Sequence, residues 1–296
     1  MNKKVIAILG PTGIGKTDLA LILSKLYDLN IISADAFQIY KELNIGVNKP
    51  AINELNLQKY FGINLISINE KYSIFDFQQY ARNIINNSTL PVIIVGGSML
   101  YLDSVIYDYT LPSNFDNSNK YENYNNEELY ELLKIKDLLS ANKLHKNNRN
   151  RVMTALNYYL QFHESIVLNK NKNKLVYETL FIYLKPLNKQ ILNEQNALRI
   201  KKMLNKGWIK EVKDLLDIYP DLSNYNAIKA IGYKTILNSI LNNEQLDIQR
   251  IIYDTNHYVK HQLSWYKRYE NNCLILNNYE EWTKYQKVIE NFIKND

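Results

Sequence analysis

The chain opens with an unbroken apolar run, Val5-Ile-Ala-Ile-Leu9, closed by a glycine. That pattern predicts a strand buried on both faces, as in a parallel sheet. Residues 17–27 then switch to helical spacing, with Leu19, Leu23 and Leu26 as the apolar positions. Further buried strands are predicted at Asn30–Ser33, at Pro91–Val95 (again followed by glycines) and at Phe181–Leu184. From Pro112 to Asn148 the character changes. A polar, tyrosine-rich stretch at 114–126 leads into one predicted helix over 127–144, with Leu129, Leu132, Leu133, Ile135, Leu138 and Leu139 apolar. After Pro186 the pattern is helical almost throughout, punctuated by Gly207, Pro220 and Gly232. No repeat of fixed period occurs. The expected organisation is a core over 1–111, a small helical insertion over 112–148, and the rest of the core with a helical C-terminal region over 149–296.

The first strand feeds Gly10, Pro11, Thr12, Gly13, Ile14, Gly15, Lys16 and Thr17, which match G-x-x-x-x-G-K-[ST] without a mismatch. A strand precedes the match and a helix follows it, as the chemistry requires. Glycines let the backbone wrap closely round phosphate oxygens, and backbone N–H groups at the helix N-terminus point at the anion. Lys16 is placed to neutralise terminal oxygens, and the Thr17 hydroxyl to ligate Mg²⁺. The predicted fold class is therefore α/β: a P-loop NTPase-like parallel sheet flanked by helices. The loop by itself suits a kinase, an NTPase, or an enzyme for which diphosphate is the leaving group.

Two further strand ends carry candidate chemistry. Asp35 lies just beyond Asn30–Ser33, where open α/β sheets place their ligands. It can accept a proton or reach Mg²⁺ through water, or it can cap a helix; position alone leaves both readings open. Ser98 follows the paired glycines Gly96 and Gly97, either as a hydrogen-bond donor to a ligand or as another cap.

Composition adds a little. The net charge is +6, which suits an anionic partner and also follows from a lysine- and asparagine-rich composition. The single cysteine, Cys273, rules out an internal disulfide and is read as core; no Cys/His spacing suits zinc. No run of roughly 18 apolar residues suggests a membrane helix, and the N-terminal residues do not resemble a secretory leader. A cytoplasmic monomer is the expectation. Trp208 and Trp265 are read as packing residues, and Lys260 and Arg268 either as RNA contacts or as parts of a solvated helix face.

Taken in order, the run 10–17, Ser33–Tyr40 continuing to Ile45-Gly-Val-Asn-Lys-Pro50, and Val95–Tyr101 resemble the tRNA dimethylallyltransferase family. Arg151 with Ala155-Leu156, Asn205-Lys-Gly-Trp-Ile-Lys-Glu-Val212, Ala227-Ile-Lys-Ala-Ile-Gly-Tyr-Lys234 and Gln262-Leu-Ser-Trp265 resemble later segments of the same family. The resemblance implies transfer of a dimethylallyl group from dimethylallyl diphosphate to N6 of adenosine 37, beside the anticodon of tRNAs reading codons that begin with U. The donor, rather than ATP, would then occupy the nucleotide-type loop, with Mg²⁺. It further implies Asp35, Ser98, Lys16 and Thr17 as catalytic, and the anticodon stem-loop as partner. Asp35, Ala36, Phe37, Gln38, Ser98, Lys120, Asn150, Arg151, Lys260 and Gln262 would contact the tRNA. The base has to be extruded from its loop for the reaction. Thr154, Asn256 and His261 stand where the family has arginines, and neither His nor Asn replaces Arg freely at a phosphate clamp. The competing readings are a transferase acting on free adenine nucleotides, a small-molecule P-loop kinase, and a non-catalytic RNA-binding protein.

Overall fold

The computed structural model describes residues 3–50, 59–113, 115–116, 120–121, 123–168 and 170–294. Part of the tyrosine-rich stretch at 114–126 lies outside them. The described chain forms two units: Met1–Ser73 with Phe77–Ile106 and Tyr177–Asp296, and Ile74–Asp76 with Tyr107–Val176.

In the first unit, β1 (Lys4–Leu9) runs parallel to β4 (Val92–Val95) on one side and to β7 (Glu178–Leu184) on the other. β2 (Asn30–Ser33) pairs with β4, β3 (Tyr60–Phe61) with β2, and β8 (Leu274–Leu276) with β7, all parallel, giving the order β3-β2-β4-β1-β7-β8. Residues Val5 to Leu9 are fully buried, which is why a continuous apolar run was needed there. α1 (Lys16–Tyr27) packs Leu19 and Leu23 against Ile6, Ile8, Ile31, Ile93 and Ile182. Leu26 does not join them: it is 56% exposed, so the apolar stripe is narrower than the spacing suggested. α2 (Ile74–Asn87) precedes β4, and α3 (Met99–Ile106) follows it.

The C-terminal part supplies α7 (Lys189–Asn205), α8 (Trp208–Ile218), α9 (Tyr233–Leu241), α10 (Ile248–Tyr266) and α11 (Gln286–Lys294). A second core joins Trp208, Val212, Tyr233, Ile236 and Ile251 to Ile39, Tyr40 and Leu43. Trp208 is therefore a packing residue. The segment is not wholly helical, because Leu274–Leu276 adds the edge strand β8; Cys273 beside it is only half-buried rather than core.

The second unit pairs β5 (Tyr107–Tyr109) antiparallel with β6 (Lys170–Leu175). Between them lie α4 (Asn126–Lys136), α5 (Leu138–Ala141) and α6 (Arg149–Phe162). The unit thus runs past the expected boundary at 148. The single helix expected over 127–144 is split at Asp137. That carboxylate, 3% exposed, accepts from Ser140 N at 3.0 Å and from Ser165 Oγ at 2.9 Å, and so caps a new helix. The split leaves Ile135, Leu138 and Leu139 exposed, while Leu129, Leu133, Val152, Ala155 and Leu156 form the core. Among the described residues no helix is long and apolar enough to cross a membrane.

Candidate active site

Every strand of the large sheet is parallel, so the loops after β1, β2 and β4 open on the same edge. There they line a cavity of about 540 Å³. Thr12, Gly13, Gly15, Lys16 and Thr17 face it; Gly10, Pro11 and Ile14 lie behind, with Ile14 packed on the core beside Leu19. Gly13 and Gly15 have φ of +86° and +92°, values that side chains rarely adopt. A Cβ on Gly13 would also collide with Asn196 Oδ1.

The phosphate loop is braced from the C-terminal helices. Gln262 Oε1 on α10 accepts from Thr12 N at 2.8 Å, and Asn196 Nδ2 on α7 donates to Thr12 O at 3.2 Å. Lys16 Nζ donates to Pro11 O at 2.8 Å. Burial brings the Lys16 ammonium down to about 7, Arg199 adds repulsion, and Asp35 opposes both.

Asp35 Oδ1 accepts from Phe37 N at 2.9 Å and from Gln38 N at 3.3 Å. The carboxylate therefore does cap a turn, while among the described residues nothing pairs with Oδ2. Burial raises its pKa from the ordinary aspartate value; the Phe37 and Gln38 amides, then Lys16 and Arg199, pull it back. Ala36 N donates to Ser98 Oγ at 2.9 Å, and Ser98 also starts the first turn of α3. Gln38 is held by Ser33 Oγ at 2.9 Å and by Val47 O at 3.1 Å. Asp35, Phe37, Gln38 and Ser98 all line the cavity; Ala36 does not.

The sequence reading missed Arg199, Asn196 and Tyr258. Arg199 on α7 lines the cavity, and its buried Nε has no hydrogen-bond partner among the described residues. Burial lowers its pKa, with Asp35 opposing. Its signal was visible, since Asn196 and Arg199 interrupt the buried stripe Leu192, Ile200, Met203. Tyr258 also lines the cavity, donating to Gly97 O at 2.6 Å.

One expectation about RNA contacts is corrected, for Gln262, and the open reading of Arg268 is answered by an internal pair. Gln262 is fully buried and bonded at both ends, its Nε2 donating to Gly97 O at 2.9 Å, so it is a brace rather than a surface contact. Arg268 is spoken for as well: it pairs with Asp103, whose carboxylate also accepts from Trp265 Nε1 at 3.1 Å and from Tyr269 OH at 2.5 Å. Trp265 is thus a packing and hydrogen-bonding residue. Lys260 and His261 are exposed on α10. In the second unit Asn150 and Arg151 are exposed at the start of α6, and Lys120 pairs with Asp116 at 2.9 Å.

A P-loop sequence and a half-buried carboxylate with one oxygen committed to a turn, on one cavity at the carboxyl edge of a parallel sheet, are the marks of an α/β enzyme of the P-loop kind. The sequence model of the family described as IPP transferase matches residues 38–269. A tRNA dimethylallyltransferase of Malacoplasma penetrans is 35% identical over 98% of this chain and 97% of its own length, and one from Anoxybacillus flavithermus is 35% identical over 90% and 88%. Among solved structures, a tRNA Δ(2)-isopentenylpyrophosphate transferase from Staphylococcus epidermidis superposes with a TM-score of 0.69 at 27% identity, covering 99% of this chain and 100% of that one. A eukaryotic dimethylallyltransferase acting on tRNA superposes with a TM-score of 0.83 at 25% identity, covering 99% and 80%. The chain belongs to the IPP transferase family.

Proposed function

We propose that the cavity transfers a dimethylallyl group from dimethylallyl diphosphate to N6 of adenosine 37 in tRNAs reading codons that begin with U. One observation carries the reading: Asp35, with Oδ2 uncommitted, shares a single cavity with the phosphate loop and Arg199. The diphosphate lies against the amides of residues 13–17, with Lys16 and Arg199 meeting its charge. The C1–O bond of the donor breaks and its electron pair leaves with the diphosphate. The N6 lone pair forms the new bond to C1, and the N6 proton passes to Asp35. Ser98 acts by holding Ala36, and hence the turn that presents Asp35.

The fit of Mg²⁺ rests on Thr17, in the first turn of α1 at the cavity wall. Among the described residues no group of three or more His, Cys, Asp or Glu could hold a metal. That donor set suits an ion bound chiefly by substrate oxygens and water, the usual manner of Mg²⁺. When bound, it would help neutralise the departing diphosphate. Lys120, Asn150, Arg151 and Lys260 are the proposed contacts to the anticodon stem-loop, chiefly to phosphate. Relatives named as tRNA transferases support this reading over free-nucleotide or kinase chemistry.

The test is transfer of labelled dimethylallyl diphosphate, with Mg²⁺, into unmodified tRNA and, in parallel, into AMP. Label at adenosine 37 is the expected result. Label in AMP alone, or in neither, overturns it.

A further inference from the structure

Two motifs noted in the sequence, Gly207-Trp-Ile-Lys-Glu-Val212 and Ile231-Gly-Tyr233, touch neither phosphate loop nor Asp35 through a hydrogen bond, yet they meet at one carboxylate. Glu211 Oε2 on α8 accepts from Asn44 N at 3.0 Å and from Ile45 N at 2.8 Å. Its Oε1 accepts from Gly46 N at 3.4 Å and from Tyr233 OH at 2.6 Å. Three successive backbone amides thus converge on one half-buried carboxylate, and a phenol fixes its far oxygen. The segment is pressed into place from the same side. A Cβ on Gly46 would collide with Trp208, and one on Gly232 would collide with the opposite edge of that ring. Lys49 holds the far end of the loop, donating to Tyr40 O and Asn64 Oδ1 at 2.7 Å each.

What the clamped segment does next gives it a function. Val47 O and Asn48 O accept from Gln38 Nε2 at 3.1 and 3.4 Å, and Gln38 N in turn donates to Asp35 Oδ1. Gly46, Val47 and Asn48 also form cavity wall. We infer that Glu211 is a positioning residue for the acceptor half of the site: it fixes 44–46, which fix the Gln38 side chain and hence the turn presenting Asp35. The phosphate loop is braced separately, by Asn196 and Gln262. Loss of Glu211 therefore acts on the acceptor and spares the donor. The inference rests on the transferase reading for what the acceptor is, and on geometry alone for the coupling.

The test substitution is Glu211→Gln, which keeps volume but turns one acceptor oxygen into an NH₂ facing amide or phenol donors. In E211Q, hydrogen exchange of peptides over 35–40 and 41–50 should speed up about tenfold, the effect of losing one or two charge-assisted hydrogen bonds, with 10–17 unchanged. kcat/KM for unmodified tRNA should fall about tenfold to a hundredfold, the scale of a misplaced reacting group, while KM for dimethylallyl diphosphate stays within about twofold. Tyr233→Phe keeps all three amide bonds and should give a shift of only about threefold. Unchanged exchange at 35–40 overturns the inference, as does an equal loss toward both substrates in parallel with a general fall in stability. If the wild-type chain transfers nothing to tRNA, the functional reading falls, and the exchange comparison still decides the coupling.

Discussion

Asp35 has two jobs that a single pair of substitutions can separate. Its Oδ1 holds the turn through Phe37 N and Gln38 N, and its Oδ2 is available to take a proton. Asp35→Asn retains an oxygen for the two amides and abolishes the base. Losing a general base costs a factor of about 10² to 10⁴, roughly 3–5 kcal/mol of transition-state stabilisation at 1.36 kcal/mol per decade. Asp35→Ala removes the cap as well, which adds about 0.5–2 kcal/mol of local destabilisation. Single-turnover transfer to tRNA, with both substrates saturating, should therefore fall by a similar factor in the two variants. Only the Ala variant should also raise KM for tRNA and lower the melting temperature. Donor binding should survive in both at acidic pH, because removing a negative charge beside Lys16 and Arg199 does not weaken their hold on diphosphate while Lys16 keeps its proton. Turnover of the Asn variant within tenfold of wild type would remove Asp35 from proton transfer and reduce it to a turn-former.

Arg199→Ala should raise KM for dimethylallyl diphosphate about tenfold to a hundredfold, the worth of one hydrogen bond to a charged group. Arg199→Lys should not restore it, and the melting temperature should hold, since the buried Arg199 Nε has no partner among the described residues. Lys16 is depressed to about 7 in the free site, so it carries its proton below that pH and loses it above. Donor KM should accordingly rise from pH 7 to 8.5, by up to about tenfold per unit, and the dependence should vanish in Lys16→Met. Arg268→Ala strands the nearly inaccessible Asp103 carboxylate. Breaking a buried pair costs about 3–5 kcal/mol; with the guanidinium side chain 33% exposed the lower end applies. At about 2–4 °C per kcal/mol, calorimetry should show a loss of roughly 6–12 °C with tRNA affinity unchanged. A stable variant with weakened tRNA binding would instead make Arg268 an RNA contact.

The strands that carry the site could be read directly, because a strand buried on both faces has to be apolar at every position. β3 and β8 could not, because two or three residues are too few to show a period. The break between α4 and α5 was hidden for a different reason. Apolar residues continue through it, yet Asp137 finds Ser140 and Ser165, and that side-chain capping overrides the apolar run. Within the site, the phosphate loop and Asp35 were legible as local patterns at strand ends. Arg199 and Tyr258 reach the cavity, and Asn196 the phosphate loop beside it, from helices far along the chain, and only the packing of α7 and α10 brings them there. Gln262 was recognised as a motif member but placed at the surface; its spacing gives no hint that both ends of its amide are used internally.

That misplacement bears on how the two halves of the chain share the work. The basic, helical C-terminal region invites a single assignment, to RNA. In the structure, however, both polar groups of the Thr12 peptide are held by side chains from that region, Gln262 at the N–H and Asn196 at the C=O. A phosphate loop offers its amides to the ligand, so it cannot use them to fix itself, and its glycines leave it little intrinsic stiffness. Rigidity has to be imported. Here it comes from α7 and α10, and α10 also carries exposed Lys260 and His261 on the face away from Gln262. The acceptor turn is fixed by another route, through Glu211 of α8 and the 44–48 segment. α10 reaches the acceptor half as well, since Gln262 and Tyr258 both donate to Gly97 O beside Ser98, whereas Glu211 of α8 and Tyr233 of α9 act on the 44–48 segment. Substitutions in that region should accordingly sort by which helix they loosen: α7 by donor KM, α8 and α9 by the acceptor side, and α10 by both.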